Sequence, residues 1–178
     1  MQARALEFTI LTAARTGETI FARWNELYLL DKTWTVPAER MKAGREHRVP
    51  LSSRALTILE EMQAHRHADD GFVFPGGKLG KPLSNMAFLM LLRRMGRDDL
   101  TAHGFRSSFR DWAAERTNFP SEVAEMALAH TVSDKTVAAY NRSDLFERRR
   151  RLMQQWQTFC TAPKQEPQSN VAPMRQSS

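Results

Sequence analysis

Residues Thr101 to Tyr140 read TAHGFRSSFRDWAAERTNFPSEVAEMALAHTVSDKTVAAY. Helical periodicity runs from His103 through Trp112 to Arg116, Phe119-Pro120 interrupts it, and a second helix is expected from Ser121 to Ala129. A short third helix is expected from Asp134 to Tyr140. His103 and Arg106 fall three apart on one helix face, where both side chains can address the same ligand atom. His130 emerges where the apolar pattern of Val123, Met126 and Leu128 ends. A lone histidine there is usually structural, and it is the spacing to HGFR and to Tyr140 that argues otherwise. Two imidazoles, a guanidinium and a phenol suit phosphoryl transfer. A planar guanidinium neutralises non-bridging phosphate oxygens in bidentate fashion, an imidazole exchanges protons near neutral pH, and a positioned tyrosine is a nucleophile. That set requires no metal.

Upstream, Ala5 to Ala14 carries Leu6, Ile10 and Leu11 at helical spacing and is expected to end at Thr16-Gly17, where glycine breaks the pattern. Arg15 at that end has a plain reading, a cation beside a helix C-terminus. Leu27 to Arg48 reads as strands: Leu27 to Leu30 is apolar, Asp31-Lys32 is a turn, and Trp34 to Val36 is β-prone up to Pro37. Lys42-Ala43-Gly44-Arg45 is a turn before His47-Arg48-Val49-Pro50-Leu51. A lysine on such a hairpin can reach into a site and protonate a leaving oxygen, although any hairpin tip of a basic protein carries exposed lysine and arginine. His47 reads as a surface or DNA-facing side chain.

Ser52 or Ser53 caps a helix whose core face is Ala55, Ile58, Leu59 and Met62. The stretch His65 to Gly71 holds histidines and carboxylates without a second ligand cluster, and it reads as a solvated loop. Phe72 to Phe74 is expected as a short buried strand. Ser84 starts a helix with Met86, Leu89, Met90 and Leu92, whose methionines read as core filling. The last helix, Leu145 to Cys160, contains Arg148 to Arg151, which face DNA, a neighbouring subunit or solvent. Residues 161–178, rich in Pro, Gln and Ser, read as a disordered tail.

At 178 residues, 42% hydrophobic and 26% charged, the chain suits one globular domain with a real core. A net charge of +6 favours a polyanionic partner, nucleic acid before membrane. Cys160 is the one cysteine, which excludes an internal disulfide framework and fits a reducing cytoplasm. No apolar run approaches the roughly 20 residues of a membrane helix, and no signal peptide is recognisable.

The run HGFR at His103 to Arg106, LAH ending at His130 and AAY ending at Tyr140 resembles the active-site signature of the tyrosine recombinase (phage integrase) family, and FRDWAAERTNFPSEVAEMALAH resembles integrases of prophages and genomic islands. RTGE at Arg15 is similar to the family's first arginine motif, and MKAGREHRVPLS to its β-hairpin lysine motif, with Lys42 as the matching residue. The resemblance covers residues 1 to about 160. It implies an α+β, mainly helical catalytic core with a small antiparallel β-sheet. It also implies a catalytic set of Arg15, Lys42, His103, Arg106, His130 and Tyr140. In that set Tyr140 attacks a DNA phosphate to give a 3′-phosphotyrosyl bond, Arg15 and Arg106 clamp the non-bridging oxygens, His103 and His130 assist, and Lys42 protonates the leaving 5′ oxygen. Glu18 orients its neighbours. No cofactor and no metal are implied.

The implied partners are double-stranded DNA attachment sites, a homo-tetramer on DNA, and accessory DNA-bending or directionality proteins, with no membrane. The implied place is the bacterial cytoplasm, at the nucleoid. Family members carry N-terminal DNA-binding domains, and with Met1 so close to Arg15 these are expected to be absent. Two other readings stay open: a non-catalytic DNA-binding remnant, and a type IB topoisomerase-like enzyme that relaxes DNA without strand exchange. A metal-dependent nuclease is poorer, for want of a carboxylate cluster.

Overall fold

A long apolar helix, α1 (Gln2–Thr12), runs between two hydrophobic clusters and sets the position of everything else. Ala5, Leu6, Phe8 and Leu11 face a larger cluster that holds the sheet and the next two long helices, while Ile10 also touches a smaller one. The structure is a computed structural model and describes residues 1–66, 68, 71–78, 80–130 and 145–163. The expected helix from Asp134 to Tyr140, the residues His67, Asp69 and Asp70 of the polar loop, and nearly all of the tail lie outside the described residues.

After α1 come α2 (Thr16–Ile20), a 3-10 turn at Trp24–Glu26, and the antiparallel strands β1 (Leu27–Tyr28), β2 (Thr33–Val36) and β3 (His47–Pro50). β2 is the middle strand, pairing Trp34 with Val49 and Val36 with His47. Pro37 follows directly, ending the ladder where it has no amide to donate. A 3-10 turn at Ala38–Arg40 and a turn with Gly44 at φ +61° complete the β2–β3 connection. Four helices follow, α3 (Ser53–Gln63), α4 (Ala87–Arg94), α5 (Ala102–Arg116) and α6 (Ser121–Ala127), and the described chain closes with α7 (Phe146–Thr161). The architecture is mainly helical with a small antiparallel sheet.

The larger cluster is centred on Trp34, fully buried, whose ring meets Phe8 at 5.5 Å and whose Nε1 donates to Glu26 Oε2 over 3.0 Å. In the smaller cluster, Trp156 of α7 packs on Phe109 and Trp112 of α5 and donates its Nε1–H to the Ile10 carbonyl over 2.8 Å. Through that bond α7 is fastened to α1.

Four local expectations change. The first helix ends at Thr12, and Gly17 lies inside α2, because Ala13 takes up a left-handed conformation at φ +49° and closes α1 without any glycine. Phe72 to Phe74 is no strand. Phe72 makes a single bridge to Arg23, and buried Val73 donates its N–H to the Ala22 carbonyl, so isolated bonds and packing hold the segment where no ladder forms. Ser52 stands at the α3 N-cap position but its hydroxyl makes no capping bond. Met86 and Met90, read as core, are 51% and 44% exposed, because α4 buries the stripe of Phe88 and Leu92 instead.

Candidate active site

Arg106 is the most deeply placed of the expected residues, 6% exposed on α5, and its guanidinium joins two helix ends. One amino group donates to the Ala13 carbonyl, and Nη2 donates to the Leu128 carbonyl over 2.8 Å. Both ends are finished alike. At α1, Ala13 N–H bonds Ile10 O and Ala14 N–H bonds Thr9 O; at α6, Ala129 N–H bonds Met126 O and His130 N–H bonds Glu125 O. These are Schellman turns with alanine, at φ +49° and +50°, where glycine is the usual residue. A helix leaves its last carbonyls without intrahelical donors, and a cation there meets the negative end of the dipole. At α6 those that the turn leaves over are taken by two side chains: Ala127 O by His47 Nε2 at 3.2 Å, and Leu128 O by Arg106.

The α1 turn delivers Arg15, which stands at the N-cap of α2 rather than at a helix C-terminus. Its N–H donates to Glu18 Oε2 over 2.8 Å and its Nη1 to Glu18 Oε1 over 2.7 Å, while its side chain remains 31% exposed. The buried Glu18 carboxylate thus orients Arg15 and faces Arg106 as well. Burial, then the nearby positive charge of Arg15, pull the Arg106 guanidinium down to about 10, and Glu18 opposes part of that fall. The two guanidiniums are thus a pair close enough to act on one another, with the Glu18 carboxylate near both. An anion with two free oxygens is what such a pair is short of.

The α6 turn delivers His130, half exposed. Its Nδ1 lies 2.6 Å from Glu125 Oε2, and Arg110 Nε, one turn beyond Arg106 on α5, donates to the other Glu125 oxygen over 2.9 Å. A carboxylate accepting the Nδ1 proton leaves Nε2 as the ring nitrogen not engaged with Glu125. Glu125 was no candidate in the sequence. The signal was its place in the last turn of α6, from which a side chain reaches forward to His130.

Beside His130 opens a cavity of about 500 Å³ lined by Met41, Ala43, His47, Ala129, His130 and Arg149, among others. Lys42 sits between the first two of these, exposed on its turn. His103 is exposed at the start of α5 and is brought to no hydrogen-bond partner among the described residues. It lies one helical turn before Arg106 on α5. Tyr140 lies outside the described residues.

His47, expected at the surface, points inward. Burial first, and then the positive charge of Arg149, push its imidazole down to about 4, so it is neutral at physiological pH. Of the arginine run, Arg149 is 2% exposed and donates to the Arg48 carbonyl over 2.6 Å, while Arg150 lies over the Phe146 ring and bonds the Asp31 carbonyl. Only Arg148 and Arg151 point outward. Among the described residues no group of three or more His, Cys, Asp or Glu is disposed to hold a metal, and no helix is long and apolar enough to cross a membrane.

A family model described as the phage integrase family matches residues 1–146. The chain is 40% identical over 155 residues to the prophage integrase IntA of Escherichia coli (strain K12), covering 86% of this chain and 37% of that protein. It is 40% identical over 153 residues to the prophage integrase IntZ of the same organism, covering 85% and 38%. The integrase of Enterobacteria phage P4 is 32% identical over 168 residues, covering 85% of this chain and 38% of its own. The chain therefore spans well under half the length of these relatives. Among solved structures, an integrase from mycobacterium phage Brujita shares the fold, with a TM-score of 0.65 at 20% identity, over 87% of this chain and 51% of that one.

Proposed function

The chain belongs to the phage integrase family, and from that premise we propose that it is the catalytic domain of a site-specific DNA recombinase of the tyrosine type, cutting and rejoining DNA through a 3′-phosphotyrosyl intermediate during prophage or genomic-island integration and excision. The observation that carries the reading is the pairing of Arg15 and Arg106 around Glu18, next to a turn that presents His130.

In this reading the scissile phosphate lies across the two guanidiniums, which hold its non-bridging oxygens and stabilise the charge that grows on them in the transition state. The Tyr140 oxygen attacks phosphorus, the P–O5′ bond breaks, and Lys42 gives its proton to the departing 5′ oxygen. His130, oriented by Glu125, and His103 take up the tyrosyl proton and hydrogen-bond the phosphoryl group. Attack by a 5′-hydroxyl from another strand reverses these steps and restores Tyr140, so bond energy is conserved and no nucleotide cofactor is consumed. Residues 1–160 form this domain and 161–178 its tail. The partners are duplex attachment sites, further copies of the chain in a tetramer, and DNA-bending or directionality proteins, met at the bacterial nucleoid. The +6 charge serves that association.

Covalent trapping tests it. A nicked suicide duplex bearing the candidate attachment core, incubated with the protein in EDTA, is expected to give an SDS-resistant protein–DNA adduct that Tyr140→Phe abolishes. An absence of adduct on a duplex that a full-length relative cleaves would favour a binding-only role.

A further inference from the structure

The β2–β3 connection that carries Lys42 is tied down on both sides by side chains that the reaction scheme leaves without a role. On the side before the turn, Arg40 Nη2 donates to the Glu18 carbonyl over 2.7 Å and Nη1 to the Phe21 carbonyl over 2.6 Å, and Arg40 also pairs with Glu26. Those bonds fasten the connection to α2, the helix whose N-cap is Arg15. On the side after the turn, His47 reaches the Ala127 carbonyl at 3.2 Å. A carbonyl oxygen only accepts, so Nε2 carries the proton and donates it. The next carbonyl along, Leu128, is the one that holds Arg106. The His47 ring also faces Arg149 of α7 as well as Glu18 and Arg106.

From these contacts we infer that His47 is a positioning residue for strand cleavage: its Nε2–H clips the strand following Lys42 to the end of α6, so that Lys42 and His130 stand beside one cavity at a fixed separation. The inference rests on the recombinase reading, and it concerns which group sets the place of the proton donor. Met41 and Ala43, the neighbours of Lys42, line that cavity together with His47, Met126, Ala129 and His130. Without the clip, β3 keeps its ladder with β2 and the Arg149 bond to the Arg48 carbonyl, but the end of the turn next to Lys42 loses this tie to α6. A general acid displaced by about an ångström loses much of its effect, because proton transfer needs hydrogen-bond reach in the transition state.

A leaving-group comparison separates positioning from mere folding. The suicide duplex is made once with the natural 5′ oxygen and once with a bridging sulfur, whose thiolate departs without a proton because a thiol is far more acidic than an alcohol. His47→Leu, which cannot donate, is expected to slow adduct formation about 10- to 100-fold on the oxygen duplex and to recover to within about 3-fold of wild type on the sulfur duplex. His47→Gln, whose amide N–H reaches the same distance, should recover most of the oxygen rate. In the free protein, amide hydrogen exchange should rise over residues 41–46 in His47→Leu and not in His47→Gln. Equal slowing on both duplexes, no slowing, or unchanged exchange in His47→Leu would overturn the clip. Wild-type protein that forms no adduct on either duplex would overturn the recombinase reading instead, and with it any role of His47 in cleavage.

Discussion

Arg106 Nη2 lies 2.8 Å from the Leu128 carbonyl oxygen, and through its other amino group the same guanidinium holds the carbonyl of Ala13. One side chain therefore finishes two helices, and the turns so finished deliver Arg15 and His130. Arg106→Ala leaves both carbonyls without a donor and is expected to cost about 3–5 kcal/mol in urea unfolding. Arg106→Lys keeps the charge but cannot span both oxygens, so it should cost less, and activity comparisons should use it only after its stability is known.

Glu18 is 6% exposed and gives both carboxylate oxygens to Arg15. Glu18→Gln keeps the shape and removes the charge, and the expected loss is about 1–3 kcal/mol in chemical denaturation. The adduct yield should fall as well, because Arg15 is then no longer held toward Arg106.

His47 titrates near 4 in the folded chain against an ordinary value of 6.5. Between those values the unfolded chain binds the proton and the folded chain refuses it, so stability falls as pH is lowered through this window and is fully present above it. The contribution amounts to at most about 3 kcal/mol at its acid end. Unfolding midpoints measured from pH 7 down to 4 should show this fall, and His47→Gln should make the profile shallower by that amount.

Ala13 and Ala129 hold left-handed backbone that glycine adopts without strain. Ala13→Gly and Ala129→Gly are each expected to raise stability by about 0.5–1 kcal/mol, the relief of strain exceeding the added freedom of the unfolded chain. Thermal unfolding would check both.

Met86 and Met90 stand clear of the core while Phe88 is 2% exposed between them. Met86→Lys and Met90→Glu should each change stability by no more than about 0.5 kcal/mol, whereas Phe88→Ala should cost about 3–5 kcal/mol. Equilibrium denaturation of the three variants would distinguish the faces of α4.

Element type was legible wherever one apolar period dominated. α5, α6 and α7 stand within a residue or two of the periodicity that predicted them, and Trp34 to Val36 is the central strand. Depth was harder to read. Helical spacing puts His103 and Arg106 on one face, yet only packing decides that one is exposed and the other buried. α4 has two apolar stripes, and its sequence does not say which of them meets α1. In two places the missing information was present. Strand alternation puts His47 on the side of buried Val49, and helical period puts Arg149 with Leu152, Met153 and Trp156, so both should have been placed inward. A strand register and a helix face outweighed the polarity of two side chains. No local pattern announces that Arg106 binds Ala13, because that contact joins residues far apart in the chain.

The double hold of Arg106 also bears on when the candidate site comes together during folding. Its partner carbonyls come from the ends of α1 and α6, far apart in the chain, so a molecule in which α6 is unformed has no second anchor for the guanidinium and no turn to present His130. The arrangement thereby ties the gathering of Arg15, Arg106 and His130 to the completed packing of α1, α5 and α6.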